Sequence, residues 1–237
     1  MQSCEFGREA AEIGGGEMIQ AVIFDLDGTV LDNEPEWEEA FARVVVKNGL
    51  NVPTQVRQVN GWIHEPGIGL EPNWRRILGE GQLERERDLA RQVKDEYKSL
   101  SSGSLSLRPG VVELVEKIKE RQMRTALATT SFWHVVEEEL GALQLELAFD
   151  VTTTGEEVQL LKPDPEIYLL TAQKLELEPK DCLVVEDAVA GVRAAVEAGM
   201  QAVGLVSDYA TEKMLKAAGA KVVVQVLSAV AESLNWT

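Results

Sequence analysis

The stretch from Ala21 to Thr29 reads Ala, Val, Ile, Phe, Asp, Leu, Asp, Gly, Thr, an unbroken apolar run that delivers two carboxylates into a glycine turn. A run this short, rich in β-branched and aromatic residues, predicts a buried strand, and Gly28 predicts its end. Asp25 and Asp27 then stand at the C-terminal tip, the edge where open α/β sheets bind ligands. Two positions apart on extended chain, they project to one side. Like charges that close repel and are best held by a cation, and their oxygen donors point to Mg²⁺. The competing reading is a pair of acids that caps the strand and opens a turn; the pair alone leaves both open.

Further along, the chain alternates. Thr125 to Ala128, Phe149 to Thr152, Cys182 to Val185, Ala202 to Val206 and Val222 to Val224 read as strands. Trp133 to Leu140, Glu166 to Leu175, Val189 to Ala198, Thr211 to Ala218 and a last C-terminal segment read as helices. Such alternation predicts an α/β fold, a Rossmann-like doubly wound parallel sheet with right-handed crossovers and helices on both faces. Arg108, Pro109 and Gly110 open one more amphipathic helix, ending near Gln122.

One block breaks the alternation. Asp32 and Asn33 supply N-cap types, Pro35 an early proline and Glu34 and Glu36 first-turn acids, so a helix runs from there to Gly49. From there to about Ser104 only helical patterns occur, around Thr54 to Asn60, Pro72 to Leu78 and Leu83 to Tyr97, and the serine-rich Ser99 to Ser106 reads as an exit linker. We therefore expect an inserted helical domain over residues 33–104, and a core over 18–32 and 105–237. Residues 1–17 are polar and end in three glycines; they read as a disordered leader, with a short extra helix as the alternative.

A formal net charge of -17 argues against nucleic-acid or anionic-membrane partners, so an anionic substrate needs locally concentrated positive charge. Cys4 and Cys182 make no disulfide framework and fit a reducing cytoplasm. No stretch reaches the roughly 20 apolar residues of a membrane span, and no basic region followed by an apolar one opens the chain. We expect a cytoplasmic protein, a monomer or at most a weak dimer, acting on a small molecule.

Three polar clusters follow predicted strands and so converge on the edge that holds Asp25. Thr129, Thr130 and Ser131 offer hydroxyls and free N–H groups for phosphate oxygens, or Ser131 is a plain N-cap. Lys162 is fixed in extended backbone by Pro163 and can neutralise a phosphate or orient a carboxylate, or is simply solvated. Asp187, after Glu186, is an N-cap or a third carboxylate for Mg²⁺.

Asp25, Leu26, Asp27, Gly28 and Thr29, then Thr129, then Lys162 and Pro163, then Glu186 and Asp187 match, in order, the four motifs of the haloacid dehalogenase-like superfamily, which the chain resembles over residues 18 to 237. The resemblance implies that Asp25 is a nucleophile that takes a phosphoryl group. It makes Asp27 the general acid and base, and gives Thr129 and Lys162 the transferring phosphoryl group. Asp25, the Asp27 backbone carbonyl and Asp187 would hold Mg²⁺, with Glu186 beside or on it. Residues 33–104 then resemble the helical cap of the β-phosphoglucomutase and sugar-phosphate phosphatase group.

Asp27 separates the chain from true dehalogenases, which lack this acid. Asp32 to Trp37 looks like the start of the hexose and hexitol phosphate phosphatases, and the implied function is a Mg²⁺-dependent phosphatase acting on such esters. A phosphosugar mutase is the alternative, but the cap histidine of mutases falls at Trp37. A silent phosphate-binding protein is a third reading, disfavoured by the intact Asp25, Asp27, Lys162 and Asp187. Trp37 could stack on a sugar or merely pack. His64, Arg75 and Arg76 are further candidates for gripping substrate, or ordinary surface groups.

Overall fold

The computed structural model describes residues 11–13, 17–58, 60–145 and 148–236. Within the stretch expected to be a disordered leader, β1 (Ala11–Ile13) pairs antiparallel with β2 (Glu17–Ile19); residues 1–10 and 14–16, Cys4 among them, lie outside the described residues. The main sheet is formed by β3 (Ala21–Phe24), β4 (Arg124–Thr129), β5 (Val151–Thr154), β6 (Cys182–Glu186), β7 (Gln201–Leu205) and β8 (Val222–Val224). It is six-stranded, in the order β5-β4-β3-β6-β7-β8, and every ladder is parallel. The chain leaves β3 toward β4 on one side and later returns to β6 on the other. This reversal at β3 opens a crevice at the strand tips, where Asp25 follows Phe24.

The period-two alternation of each strand feeds two cores. Val22, Phe24, Leu127, Val185 and Leu205 pack with α4 (Val111–Glu120), α5 (Trp133–Ala142) and α9 (Ser228–Ser233). Ala21, Ile23, Ala126, Val184 and Ala202 face α6 (Glu166–Lys174), α7 (Val189–Glu197) and α8 (Glu212–Ala218). Both faces are covered, as a doubly wound sheet requires.

Between β3 and α4 stand α1 (Glu34–Lys47), α2 (Leu70–Leu78) and α3 (Leu83–Ser101), packed about their own core of Trp37, Phe41, Val44, Trp74, Leu89 and Val93. No strand interrupts them among the described residues. Three boundaries differ from expectation. Only one turn of 3-10 helix, Thr54–Val56, forms where a helix to Asn60 was predicted, because Gln58 N–H donates to Trp62 O and Gly61, at φ +89°, closes a loop. The helix α3 runs on through Ser101 into the predicted linker, since its buried stripe Glu86, Ala90, Val93, Tyr97 continues to Ser101. The ladder of β5 starts at Val151 rather than Phe149, because Phe149 turns edge-on to Phe24 and Asp150 ties the Thr125 N–H.

Candidate active site

The tips of β3 and β6 and the loop before α6 bring four buried ionisable side chains together. Lys162, fully buried, donates through Nζ to Asp25 Oδ1 at 2.5 Å, Glu186 Oε1 at 2.8 Å and the Ala128 carbonyl at 2.9 Å. All three ammonium hydrogens are thereby used. Glu186 is held further by the Tyr168 hydroxyl at 3.0 Å and the Ala188 N–H at 2.9 Å. Gly191 makes room for it, since a Cβ there would lie 1.6 Å from Glu186 Oε1. Asp187 accepts from Thr29 Oγ1 at 3.0 Å and from the Tyr209 hydroxyl. At Gly28, φ +78°, a Cβ would lie 2.1 Å from Asp187 Oδ2, so only glycine completes this cradle.

Asp25, Glu186 and Asp187 form a buried acidic triad with donor oxygens within 4.8 Å of one another. Burial works against the Lys162 ammonium, yet Asp25 and Glu186 outweigh it and raise its pKa well above the ordinary lysine value. Burial likewise pushes the Asp25 carboxyl well up, Lys162 opposing, and does so for Asp187, where Glu186 and Glu34 add to it. One lysine against three desolvated carboxylates leaves the cluster short of positive charge.

The Asp27 carboxylate lies outside that triad, in a different environment. Its Oδ1 accepts from Asn33 Nδ2 at 2.7 Å and Trp37 Nε1 at 2.8 Å, and its Oδ2 from Ser131 Oγ at 2.6 Å and, more weakly, Thr129 Oγ1 at 3.4 Å. Asp25 and Asp27 nevertheless line one cavity, partly open to solvent, between the sheet edge and α1–α3. Glu34, Trp37, His64 and Lys94 close it from the helical side, Thr130 and Ser131 from the loop after β4. Lys94 Nζ stands over the Phe132 ring, 2.9 Å from its centroid. His64 stacks on Phe41, its Nδ1 3.3 Å from Glu34 Oε2. Burial lowers the His64 pKa to about 4, which leaves the imidazole neutral near pH 7, and raises that of Glu34 well above the ordinary range.

A model of the haloacid dehalogenase-like hydrolases matches residues 19–199. The chain is 35% identical over 209 residues to the phosphorylated carbohydrates phosphatase of Thermotoga maritima, covering 87% of this chain and 94% of that protein. It is 31% identical over 197 residues to hexitol phosphatase B of Escherichia coli K12, covering 78% and 82% respectively. The solved β-phosphoglucomutase of Clostridium difficile superposes with a TM-score of 0.76 at 26% identity, over 92% of this chain and 98% of that one. The chain belongs to the haloacid dehalogenase-like hydrolase family.

Seen as a member of that family, the chain joins Lys162 directly to Asp25 and Glu186, sets Asp187 with its donor oxygen within 4.8 Å of those of the other two acids, and pairs Asp27 with Thr129 on the adjoining wall. Other expectations change. Arg75 is tied to Glu86 at 2.9 Å and Arg76 to Glu65 at 3.1 Å, so neither reaches the cavity. Trp37 stacks on Tyr97, ring centroids 3.6 Å apart, and spends its N–H on Asp27. Neither Ser131 nor Asn33 caps a helix with its side chain; both turn to Asp27. Asp187 is not an N-cap either, since Ala188 stands there before α7. Tyr168 and Tyr209, which steady Glu186 and Asp187, carry no local signal in the sequence.

Proposed function

We propose that the protein is a Mg²⁺-dependent phosphomonoesterase that acts through an aspartyl-phosphate on a small phosphorylated carbohydrate, a hexose or hexitol phosphate. The observation that carries this reading is the Asp25 carboxylate at the tip of β3, paired with a buried lysine and facing the same cavity as a second, separately held carboxylate. The named phosphatase relatives support the substrate class.

An Asp25 oxygen attacks phosphorus, and the bond from phosphorus to the ester oxygen breaks while Asp27 gives that oxygen its proton. Asp27, now a carboxylate, takes a proton from water, whose oxygen attacks the aspartyl-phosphate and releases inorganic phosphate. Thr129 orients the phosphoryl group. Lys162 steadies Asp25 and offsets charge on the phosphoryl oxygens. The triad fits Mg²⁺: its donors are hard carboxylate oxygens, its net charge is negative, and Gly28 keeps the Asp187 flank open. Asp25, the Asp27 carbonyl and Asp187 would hold the ion. Glu186, the third member of the triad, would stand beside the ion or on it. Bound there, Mg²⁺ supplies electrostatic stabilisation of the transferring group.

We also read residues 33–104 as a cap over a core of 18–32 and 105–237, and place the enzyme in the cytoplasm, which suits the free, buried Cys182. The test is phosphate release from a panel of phosphomonoesters with and without Mg²⁺. Asp25→Asn should lower it roughly 10³-fold or more; a folded variant with near wild-type activity would refute the nucleophile, and no release by the wild type would favour a phosphate-binding protein. Supplying β-glucose 1-phosphate with a bisphosphate primer separates the mutase. Glucose 6-phosphate forming faster than free phosphate would favour it.

A further inference from the structure

A chain of buried hydrogen bonds leads from Asp27 through α1–α3 to a residue on α5. Asn33 uses both amide hydrogens: one goes to Asp27 Oδ1 at 2.7 Å, the other to the Tyr97 hydroxyl oxygen at 2.7 Å. The Tyr97 hydroxyl donates in turn to Glu139 Oε1 at 2.5 Å, while Asn33 Oδ1 accepts the Gly28 N–H at 3.2 Å. Asn33, Tyr97 and Glu139 are each buried. The Tyr97 ring also lies flat on the Trp37 indole that gives Asp27 its other donor.

We propose that Tyr97 and Glu139 are positioning residues for Asp27, acting through Asn33 and Trp37. A side-chain amide can face either way, and a flipped Asn33 would set its carbonyl oxygen against the Asp27 carboxylate. Glu139 prevents this by polarity. Its Oε1 accepts the Tyr97 proton, which leaves Tyr97 only a lone pair for Asn33, and a lone pair selects the N–H. Glu139 does so in either charge state, because Oε1 accepts whether or not Oε2 carries a proton. The Oε2 atom has no partner among the described residues, so Tyr97 is what this buried carboxyl serves. Since Tyr97 lies on α3, Asn33 before α1 and Glu139 on α5, the chain closes only when α1–α3 are seated on the sheet domain.

The inference rests on the phosphatase reading. Its test compares a hexitol 6-phosphate, whose alkoxide leaving group needs the Asp27 proton, with p-nitrophenyl phosphate, whose phenolate does not. Tyr97→Phe keeps the stack on Trp37 and removes only the hydroxyl. Single-turnover cleavage of the hexitol ester should fall about tenfold, and the p-nitrophenolate burst by less than about twofold. Glu139→Leu should follow Tyr97→Phe, and Glu139→Gln, which still offers an acceptor oxygen, should recover most of the loss. If Tyr97→Phe does not fold, the two Glu139 variants make the same comparison. Equal losses on both esters, or Glu139→Gln behaving as Glu139→Leu, would overturn the positioning role alone. No phosphate release from either ester by the unmodified protein would remove the phosphatase reading as well.

Discussion

The sheet edge and the helical layer handle buried charge in opposite ways. At the edge, Lys162 stays an ammonium and divides itself between Asp25 and Glu186, so part of the acids' charge is offset by a cation. In and against the helical layer no such cation is present among the described contacts of Glu34, His64 and Glu139. Glu34 Oε2, His64 Nδ1 and Glu139 Oε2 are buried with no hydrogen-bond partner among the described residues. Burial pushes these groups toward their neutral forms instead, raising the carboxyl pKa values and lowering that of the histidine. A cluster compensated by a cation stays charged, as phosphoryl transfer needs. A layer neutralised by protons can bury groups next to substrate without adding to a chain of net charge -17, but its stability must vary with pH.

The sharpest way to break the comparison is to remove the cation. Lys162→Met keeps much of the volume and leaves three buried carboxylates uncompensated, which should cost about 3–5 kcal/mol of stability and abolish turnover. Denaturant unfolding in a chelating buffer measures it. The deficit should shrink in mild acid, where Asp25 and Asp187, whose carboxyls burial pushes well up, take up protons. A loss below about 1 kcal/mol would mean that the lysine does not hold the edge together.

The edge was legible because its chemistry sits where strands end. Apolar runs at Ala21 to Phe24 and Cys182 to Val185 mark both strand and terminus, so Asp25, Glu186 and Asp187 could be placed by counting. The helical layer was not legible in this way. Asn33 and Ser131 are residue types that ordinarily cap helices, and nothing local distinguishes a cap from a donor aimed at Asp27. Tyr97 reads only as one member of the α3 stripe, for its partners Asn33 and Glu139 lie 64 and 42 positions away. The same limit explains the boundary errors. Phe149 has every strand property, and only its contact with Phe24 removes it from the ladder.

A smaller effect sharpens the contrast. Burial, with Asp27 adding, raises Glu139 from the ordinary 4.5 to about 8. Between those values the folded state holds a proton that the unfolded state has released, so Glu139 contributes stability that is complete below pH 4.5 and lost as pH rises toward 8. The slope is at most about 1.4 kcal/mol per pH unit. Glu139→Gln keeps the acceptor for Tyr97 and removes the titration. Its Tm should therefore fall less than that of the wild type between pH 6.5 and 8. Parallel Tm profiles would show that Glu139 is already ionised in the folded protein, and the helical layer would then carry charge as the edge does.

The smallest expected effect has the opposite sign and concerns His64. Its pKa is depressed from 6.5 to about 4, first by burial, with Arg76 adding, against the pull of Glu38, Asp27 and Glu65. Here the unfolded state is the one that gains the proton, so the contribution is present above pH 6.5 and lost as pH falls toward 4. The window is narrower than that of Glu139 and overlaps it in the opposite direction, so His64 offsets part of the carboxyl slope around pH 5 to 6. His64→Phe preserves the stack on Phe41 and removes the titrating ring. Without the histidine the opposing slopes of Glu139 and Glu34 are no longer offset, and on acidification from pH 6.5 to 5 the variant's Tm should rise relative to that of the wild type. If instead the variant tracks the wild type through that range, His64 keeps a proton in the folded state. The Glu34 carboxyl 3.3 Å away would then be an ion-pair partner, and the helical layer would hold its buried charge by the same means as Lys162 and Asp25.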